Sequence, residues 1–321
     1  MDETMGKGGG SLVHEALLYS DLPAFVQGAL PFVLDGVRHG EPVLVAETPD
    51  KIEVLHGYLS DVDAPRVTFV DSTAEAKNPN RVIPDLICPF LAKHPHRHVR
   101  IICEWVWPER SRAAKLTAIQ NEALTNVVDF LPATTMMCPY DISSLDPADI
   151  VSALRCHPTA VTGGGAPWTS HAFADPLTVA STCLEPFPEP VADYLTEIVI
   201  YHGTNVPLLL AFVAGHAAHN RMTRRRQEEL EEAITEIADN ALRHAEGPST
   251  VRLWAQDGAI ICEVRDRGHV DDPLIGRRPA DPDAEHGHGL LRVNALCDLV
   301  QISPQSSGTT IRLHMQVNPP A

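Results

Sequence analysis

Short apolar runs alternate with segments of helical periodicity along the first half of the chain. Four runs predict buried strands, the last being the weakest candidate: Glu41–Glu47, Arg66–Ser72, His98–Trp105 and Thr134–Asp141. Before and between them, apolar residues recur at helical spacing in four segments: Leu22–Val37, Ile52–Leu59, Pro84–Lys93 and Leu116–Phe130. Continuous apolar runs are typical of strands covered on both faces. The alternation therefore predicts a parallel α/β domain over residues 1–161.

A different order of elements follows a glycine- and proline-rich stretch, residues 162–190, which we interpret as a linker. Residues 191–321 contain two helical segments, Pro207–Asn220 and Gln227–Ala245, and then a hairpin around Asp257-Gly258, a dipeptide that favours tight hairpin turns. A helix at Leu290–Leu299 and a last hairpin turning at 306–308 complete the pattern. Helices followed by paired strands predict a two-layer α/β sandwich.

Charge and cysteine content narrow the class of protein. The chain has 321 residues, with 25 basic against 42 acidic side chains and a net charge of -17. This balance argues against a nucleic-acid or anionic-membrane partner, because phosphate binding depends on Lys and Arg. The seven cysteines are scattered without a C-x-x-C pair, and no apolar run is long enough to cross a membrane. We expect a cytoplasmic protein without a secretory leader.

Glutamate and asparagine occur four residues apart twice, at Glu122/Asn126 and at Glu236/Asn240. An isolated pair of this kind is usually a solvated helix face. The second pair is followed by Asp266 and Gly268 at a strand end and by a glycine-rich helix start, Gly287–Leu290. A carboxylate can position or deprotonate a nucleophile, an amide oxygen can bind Mg²⁺, and a helix N-terminus can bind phosphates.

These motifs, "EIADNALRHA", "VRDRG", "GHGLLRVNALCDLV" and "SGTTIRL", resemble the ATP-binding domain of gyrase, histidine kinases and MutL, called GHKL. Within that group they look most like the RsbW-type serine-protein kinases that act as anti-sigma factors. The resemblance implies ATP and Mg²⁺ as cofactors and assigns roles to eight residues in total. Glu236 would be the catalytic base, Asn240 the metal ligand and Asp266 the adenine contact. The remaining residues would frame the nucleotide: Gly268, Gly287, Gly289, Leu290 and Thr310.

The same resemblance implies partners. Such proteins bind an alternative sigma factor and phosphorylate a serine or threonine of a STAS-fold anti-anti-sigma protein, and they form homodimers. One departure is Val270, which stands where the adenine motif D-x-G-x-G has its second glycine. Two alternatives stay open: a docking-only regulator without catalysis, and a histidine-kinase-like protein using His216 or His219 as phosphoacceptor. An irregular segment, Val270–His286, is expected to be a mobile lid.

The first half resembles another family. The segment His14–Val161 is similar to MEDS, a sensory domain of methanogens and methylotrophs, through several stretches: "HEALLYSD", "FVLDGVRHGEPVLVA", "VRIICEWVWP", "NEALTNVVDFLP", "MCPYD" and "CHPTAV". The resemblance implies a RecA-like α/β domain without a phosphate-binding loop, which senses a small molecule. The candidate pocket residues are His14, Glu104, Trp107, Glu122, Asn126, Cys138, Tyr140 and His157.

Three interpretations of this pocket remain open from the sequence. It could bind an organic ligand, or Cys138 could form a metal set with His14 and His157, although the spacing matches no known ligand pattern. It could also be a polar network that only stabilises the domain. Glu122 and Asn126 are assigned to this pocket rather than to ATP in all three cases.

Overall fold

The computed structural model describes most of the chain: residues 12–75, 77–128, 131, 133–184, 187–190, 195–201, 206–244, 247–279 and 289–318. The chain divides into two compact units. The first comprises residues 1–76 and 86–183, and the second comprises residues 77–85 and 184–321.

A seven-stranded sheet forms the centre of the first unit. Its strands are β1 (Val13–Tyr19), β2 (Val43–Glu47), β3 (Val67–Asp71), β4 (Val99–Cys103), β5 (Thr134–Asp141), β6 (Thr159–Thr162) and β7 (Trp168–Thr169). Their order is β3-β2-β4-β5-β1-β6-β7, and the pairs among the first six are all parallel. Only the short β7 is antiparallel to its neighbour. The four strands predicted from apolar runs are confirmed, and the parallel α/β fold with them.

Seven α-helices accompany this sheet within the described part of the unit: α1 (Leu22–His39), α2 (Pro49–Tyr58), α3 (Ser72–Glu75), α4 (Cys88–Ala92), α5 (Arg112–Thr125), α6 (Pro147–Cys156) and α7 (Pro176–Thr182). Helix α1 begins after Asp21, whose carboxylate accepts a hydrogen bond from Ala24 N at 2.8 Å. It ends at Gly40, which adopts a φ of 69° that favours glycine. The predicted helix at Pro84–Lys93 is a π-helical turn, Val82–Ile87, followed by α4.

Strand β1 was not among the predicted strands, yet it lies at the centre of the sheet between β5 and β6. After Val13 come two polar residues, His14 and Glu15, which interrupt the apolar pattern, although His14 is buried. No glycine-rich loop follows β1, because the chain continues through Ser20 and Asp21 directly into α1. This agrees with a sheet that lacks a phosphate-binding loop.

The second unit is a two-layer sandwich of one antiparallel sheet and three helices among its described residues. The elements are β8 (Leu195–Ile200), α8 (Val206–His219), α9 (Arg224–His244), β9 (Ser249–Gln256), β10 (Ala259–Asp266), α10 (Gly289–Leu296), β11 (Leu299–Gln305) and β12 (Gly308–Gln316). The strand order is β11-β12-β10-β9-β8. Asp257 and Gly258 form the predicted turn, both with positive φ. The predicted sandwich is confirmed, with β8 as an additional edge strand.

Apolar residues of α9 pack on the inner face of this sheet. Leu230, Ile234 and Ile237 are buried in one cluster with Cys262 and Val264 of β10. The alternation of side chains along a strand places Glu263 on the other face, where Arg312 of β12 donates to its carboxylate. The inner face thus holds the core and positions the polar ends of α9 and β10.

The short segment 77–85 belongs to the second unit although its sequence lies within the first half. Asn80 Nδ2 donates to Asn294 Oδ1 at 3.0 Å and to Val300 O at 2.8 Å, and Asn78 Nδ2 also donates to Asn294 Oδ1. Nothing in the local pattern of the segment predicts this. Of the helices that the structure describes, none is both long enough and apolar enough to cross a membrane.

Candidate functional site

Helix α9 carries Glu236 and Asn240 beside its buried face. The buried stripe of the helix consists of Leu230, Ala233, Ile234, Ile237, Ala238 and Ala241. Glu236 and Asn240 are partly exposed. Residues four apart lie on the same side of a helix, one turn from each other. The pair therefore presents a carboxylate and an amide side by side at the edge of the core.

The first residue of α10 lies directly against Glu236. A Cβ atom added to Gly289 would overlap Glu236 Oε1 and would lie 2.8 Å from Cδ. Leu290, the next residue, is buried beneath the helix start. The carboxylate is thus close to a helix N-terminus, where unpaired backbone N–H groups are available to an anion. Gly287, also predicted for this site, lies outside the described residues.

Asp266 ends β10 on the inner face of the sheet. One of its carboxylate oxygens accepts a hydrogen bond from Gly268 N at 2.6 Å. Burial raises the pKa of Asp266 from its ordinary value, while the Gly268 N–H and the nearby His244 and His269 oppose that rise. A Cβ on Gly268 would lie 2.9 Å from Asp266 Oδ1 and 3.3 Å from His244 O. A larger residue at position 268 would require the Asp266 side chain or the end of α9 to shift.

The start of β12 packs against Asp266 and Gly268. Gly308 has a φ of 138°, and a Cβ there would overlap Asp266 O. Thr309 Oγ1 donates to Gly268 O at 2.8 Å. Thr310, the residue predicted from the sequence, pairs with Arg265, and alternation along the strand turns its side chain away from Asp266 and toward the outer face. Thr309, one position away and not singled out in the sequence, is the threonine that contacts the Gly268 backbone.

Val270, which stands at the position of the second motif glycine, does not adopt a positive φ. Its side chain packs against the hydrophobic core together with Ile275. Beyond it, Asn294 of α10 donates to Gly276 O at 3.0 Å, and Arg277 is buried. The first half of the predicted lid is therefore packed against α10, and the stretch 280–288 lies outside the described residues.

Two family models match the sequence. One is the MEthanogen/methylotroph, DcmR Sensory domain (MEDS), over residues 13–158. The other is the histidine kinase-like ATPase domain, over residues 203–315. The chain therefore carries a MEDS domain followed by a histidine kinase-like ATPase domain, and the second unit has the fold of the GHKL ATPases.

Among solved structures, the RsbU and RsbW domains of Rv1364c from Mycobacterium tuberculosis are 21% identical, with a TM-score of 0.31, over 40% of this chain and 34% of that one. This chain thus spans about a third of the length of that structure. The histidine kinase AdeS from Acinetobacter baumannii is 16% identical, with a TM-score of 0.24, over 39% of this chain and 69% of that one. No curated protein matches the sequence.

A glycine adjoins each of the two carboxylates of the candidate site. A Cβ at Gly268 would meet the carboxylate of Asp266 and one at Gly289 that of Glu236, so glycine lets the backbone lie close to both. Asn240 supplies the neutral oxygen that Mg²⁺ accepts in addition to phosphate and water. The chemistry of the donor set therefore suits Mg²⁺ and ATP.

In the first unit, the structure separates the predicted pocket residues into groups. Glu104 lies in a buried cluster with Glu47, Lys51 and Tyr19 at the carboxyl ends of the strands. Lys51 Nζ donates to Glu104 Oε1 at 2.6 Å and lies 3.6 Å from Glu47 Oε2. Burial alone would lower the pKa of Lys51, but the two carboxylates outweigh it and raise that pKa, so the ammonium stays charged. Glu47, Lys51 and Tyr19 were not predicted.

Trp107 is not part of the buried cluster around Lys51. It is partly exposed, and the guanidinium of Arg110 lies 3.5 Å from the centre of its ring. This is a cation–π contact on the segment that follows β4.

The other predicted pocket residues come together on the α5 side of the sheet. His14 of β1, Cys138 of β5, Glu122 of α5 and His157 before β6 are all buried, and one ligand atom from each lies within 4.8 Å of the others. Asn126 and Tyr140 adjoin them: Asn126 Oδ1 lies 3.1 Å from His14 Nδ1, and the Tyr140 hydroxyl donates to Glu122 Oε2.

Burial determines the charge state of these groups. It lowers the pKa of His14 to about 4 and that of His157 well below its ordinary value, so both rings are neutral near pH 7. Burial raises the pKa of Glu122 to about 7, against the opposing hydrogen bond from Tyr140. We refer to His14, Glu122, Cys138 and His157 as the His/Cys cluster.

Proposed function

We propose that the protein is an anti-sigma factor that phosphorylates a serine or threonine of a STAS-fold anti-anti-sigma protein with ATP, under the control of its MEDS sensory domain. The observation that carries the proposal is the position of Glu236. This partly exposed carboxylate lies one helical turn from Asn240 and against the first residue of α10, within the residues that match the ATPase family.

Each side chain has a defined task in this proposal. Glu236 accepts the proton of the substrate hydroxyl, Asn240 holds Mg²⁺ through its amide oxygen, and Asp266 accepts a hydrogen bond from the adenine amine. Thr309 holds Gly268 in place beside Asp266. When bound, Mg²⁺ offsets the negative charge of the phosphates and orients them.

The histidines of α8 disfavour the histidine-kinase alternative. His216 is buried and bonded to Thr196, so its ring is not available to a γ-phosphate. His219 is exposed, but it lies on α8, which contacts α9 inside the same unit. Between these histidines and Glu236 the chain forms only the loop after α8 and the first half of α9. A separate helical hairpin for autophosphorylation has no place there.

Partners follow from the same proposal. The net charge of -17 suits contact with a basic surface of a sigma factor, because opposite charges steer association. We further propose that the protein is a homodimer, as in the family that the sequence resembles, and that a small molecule bound by the first unit biases its activity.

Phosphotransfer to STAS-fold proteins of the host tests the proposal. We expect acid-stable incorporation of the γ-phosphate of ATP on serine or threonine. Glu236→Gln should lower the rate by roughly 100-fold or more, as expected for loss of a general base. The matched control is Glu228→Gln on the same helix, whose side chain is exposed and pairs with the exposed Arg224, and it should retain the rate.

The outcomes separate the alternatives. Acid-labile phosphate on the protein itself would indicate a histidine kinase. A STAS protein that is bound but never phosphorylated would indicate the docking-only regulator, which the replacement of the second glycine by Val270 favours. Equal rates for Glu236→Gln and Glu228→Gln would contradict the role of Glu236.

A further inference from the structure

Two buried hydrogen-bond acceptors, one from His157 and one from Glu122, face each other inside the first unit. His157 Nδ1 lies 2.7 Å from Ala153 O, and since a carbonyl can only accept, Nδ1 carries the proton. Nε2 is then the nitrogen with the lone pair. It lies 3.4 Å from Glu122 Oε1, and both atoms are buried without a hydrogen bond. An unpaired buried carboxylate oxygen beside an unpaired nitrogen is costly unless a cation or a proton joins them.

The second histidine is oriented by the same logic. The amide nitrogen of Asn126 donates to Cys156 O at 2.9 Å and to Ala123 O at 3.2 Å. Its oxygen is therefore the atom that accepts from His14 Nδ1, at 3.1 Å. This leaves His14 Nε2 as the atom with the lone pair, and it lies 3.3 Å from Cys138 Sγ. Fixing a histidine tautomer through its outer nitrogen is characteristic of metal-binding histidines.

The distances agree with a tetrahedral metal centre. Zinc–ligand bonds of about 2.0–2.3 Å place neighbouring ligand atoms about 3.3–3.7 Å apart in a tetrahedron. His14 Nε2 lies 3.3 Å from Cys138 Sγ and His157 Nε2 lies 3.4 Å from Glu122 Oε1, and all four ligand atoms lie within 4.8 Å of one another. Side-chain movements of about 1 Å would bring ligand atoms that are up to 4.8 Å apart to the spacing of a tetrahedral zinc site.

We propose that His14, Glu122, Cys138 and His157 form a closed, four-ligand site for a divalent transition-metal ion, with Zn²⁺ as the best match. Two imidazole nitrogens and a thiolate suit Zn²⁺ and related ions, whereas Mg²⁺ and Ca²⁺ require oxygen ligands. The ionised carboxylate and thiolate balance the two positive charges of the ion, so the occupied site is neutral within a buried region.

Four separate parts of the fold supply the ligands. They come from β1, β5, α5 and the residue before β6, so an ion would join the centre of the sheet to the helix that covers it. With four protein ligands and no open position, the site has the composition of a structural centre rather than a hydrolytic one. The inference concerns the first unit and does not depend on the kinase proposal.

Metal loading of the full chain tests the site. Protein stripped with a chelator is titrated with ZnCl₂, and its metal content is measured after gel filtration. We expect one equivalent per chain, and at least about 100-fold weaker binding for Cys138→Ala and for His157→Ala. Asn126→Ala, which removes the partner of His14 Nδ1 but none of the four ligands, should bind roughly 10-fold more weakly. Cys262→Ala is the matched control, since Cys262 is another buried free cysteine and lies in the second unit.

Cobalt distinguishes loss of the site from loss of the fold. Wild-type protein loaded with CoCl₂ should show a thiolate-to-cobalt charge-transfer band and tetrahedral absorption, and both should disappear in Cys138→Ala but not in Cys262→Ala. Circular dichroism checks that each variant is folded. If stripped wild-type protein takes up no Zn²⁺ or Co²⁺ that survives gel filtration, or if Cys138→Ala binds as tightly as Cys262→Ala, the proposal is wrong.

Discussion

The two E-x-x-x-N pairs of this chain have the same spacing and opposite environments. Glu122 is fully buried on α5, and both it and Asn126 have partners within the first unit. Glu236 and Asn240 on α9 are partly exposed and border the start of α10. The burial of the surrounding helix accounts for the difference. Helix α5 is buried continuously from Thr117 to Thr125, whereas α9 buries a single stripe.

The glutamate–asparagine pair therefore does not by itself define a nucleotide site. A buried carboxylate with neutral histidines beside it needs a proton or a metal ion, because its charge cannot be solvated. A partly exposed carboxylate at the edge of a core, near a helix N-terminus, can act on a ligand that enters from solvent. The same two side chains thus suit different chemistry in the two units.

Exchange of each asparagine for alanine is the strongest test of this comparison. Asn240→Ala removes the proposed Mg²⁺ ligand, and we expect affinity for ATP with Mg²⁺ to fall by roughly 100-fold. Asn126→Ala should leave that affinity within about twofold, because its contacts are to His14 and to carbonyls of the first unit. Isothermal titration with a non-hydrolysable ATP analogue measures both values.

The asparagine comparison fails if the two variants lose equal affinity. A thermal melt accompanies the titration, since Asn126→Ala is expected to lower the melting temperature through its lost buried hydrogen bonds. Asn240→Ala, at a partly exposed position, should shift the melting temperature less.

A second test concerns Gly289, the residue that lies directly against the Glu236 carboxylate. Gly289→Ala would place a methyl group onto Glu236 Oε1, so the side chain has to move. We expect phosphotransfer to fall about 10-fold or more, because displacement of a catalytic group by about 1 Å has a cost of this size or larger. Gly215→Ala in α8 is the control: a Cβ there meets nothing within 4 Å, and alanine favours the helix by up to about 1 kcal/mol.

Unchanged activity in Gly289→Ala would mean that phosphotransfer does not depend on the position of the Glu236 carboxylate against Gly289. The proposed role of that position would then be wrong. A loss of activity in Gly215→Ala of the same size would mean that the assay reports stability rather than the site.

The sequence predicted much of this fold and less of its sites. The turn at Asp257-Gly258 and the helices α1, α8 and α9 agree with their patterns, because turn chemistry and apolar periodicity are local. Strands β1 and β8 were missed. In strand β1 two polar residues follow Val13, and β8 is an edge strand with three exposed residues and one buried residue.

The missed strand β1 also explains why the His/Cys cluster stayed ambiguous. His14, Cys138 and His157 are far apart in the sequence, and only the strand order β5-β1-β6 brings them together. The orientation of each ring depends on backbone carbonyls and on Asn126, which no residue spacing reveals. The sequence therefore identified these residues as candidates, but only the sheet topology shows that they lie together.

The smallest expected effect concerns the strand beside Asp266. Thr309 donates to Gly268 O on the inner face, whereas Thr310 points to the outer face. Thr309→Val removes one hydrogen bond of about 1 kcal/mol and should weaken ATP binding about 3- to 10-fold. Thr310→Val should change it by less than twofold. The same titration measures both variants, and a larger loss in Thr310→Val would mean that the nucleotide contacts the outer face of the sheet, which would contradict its proposed position beside Asp266.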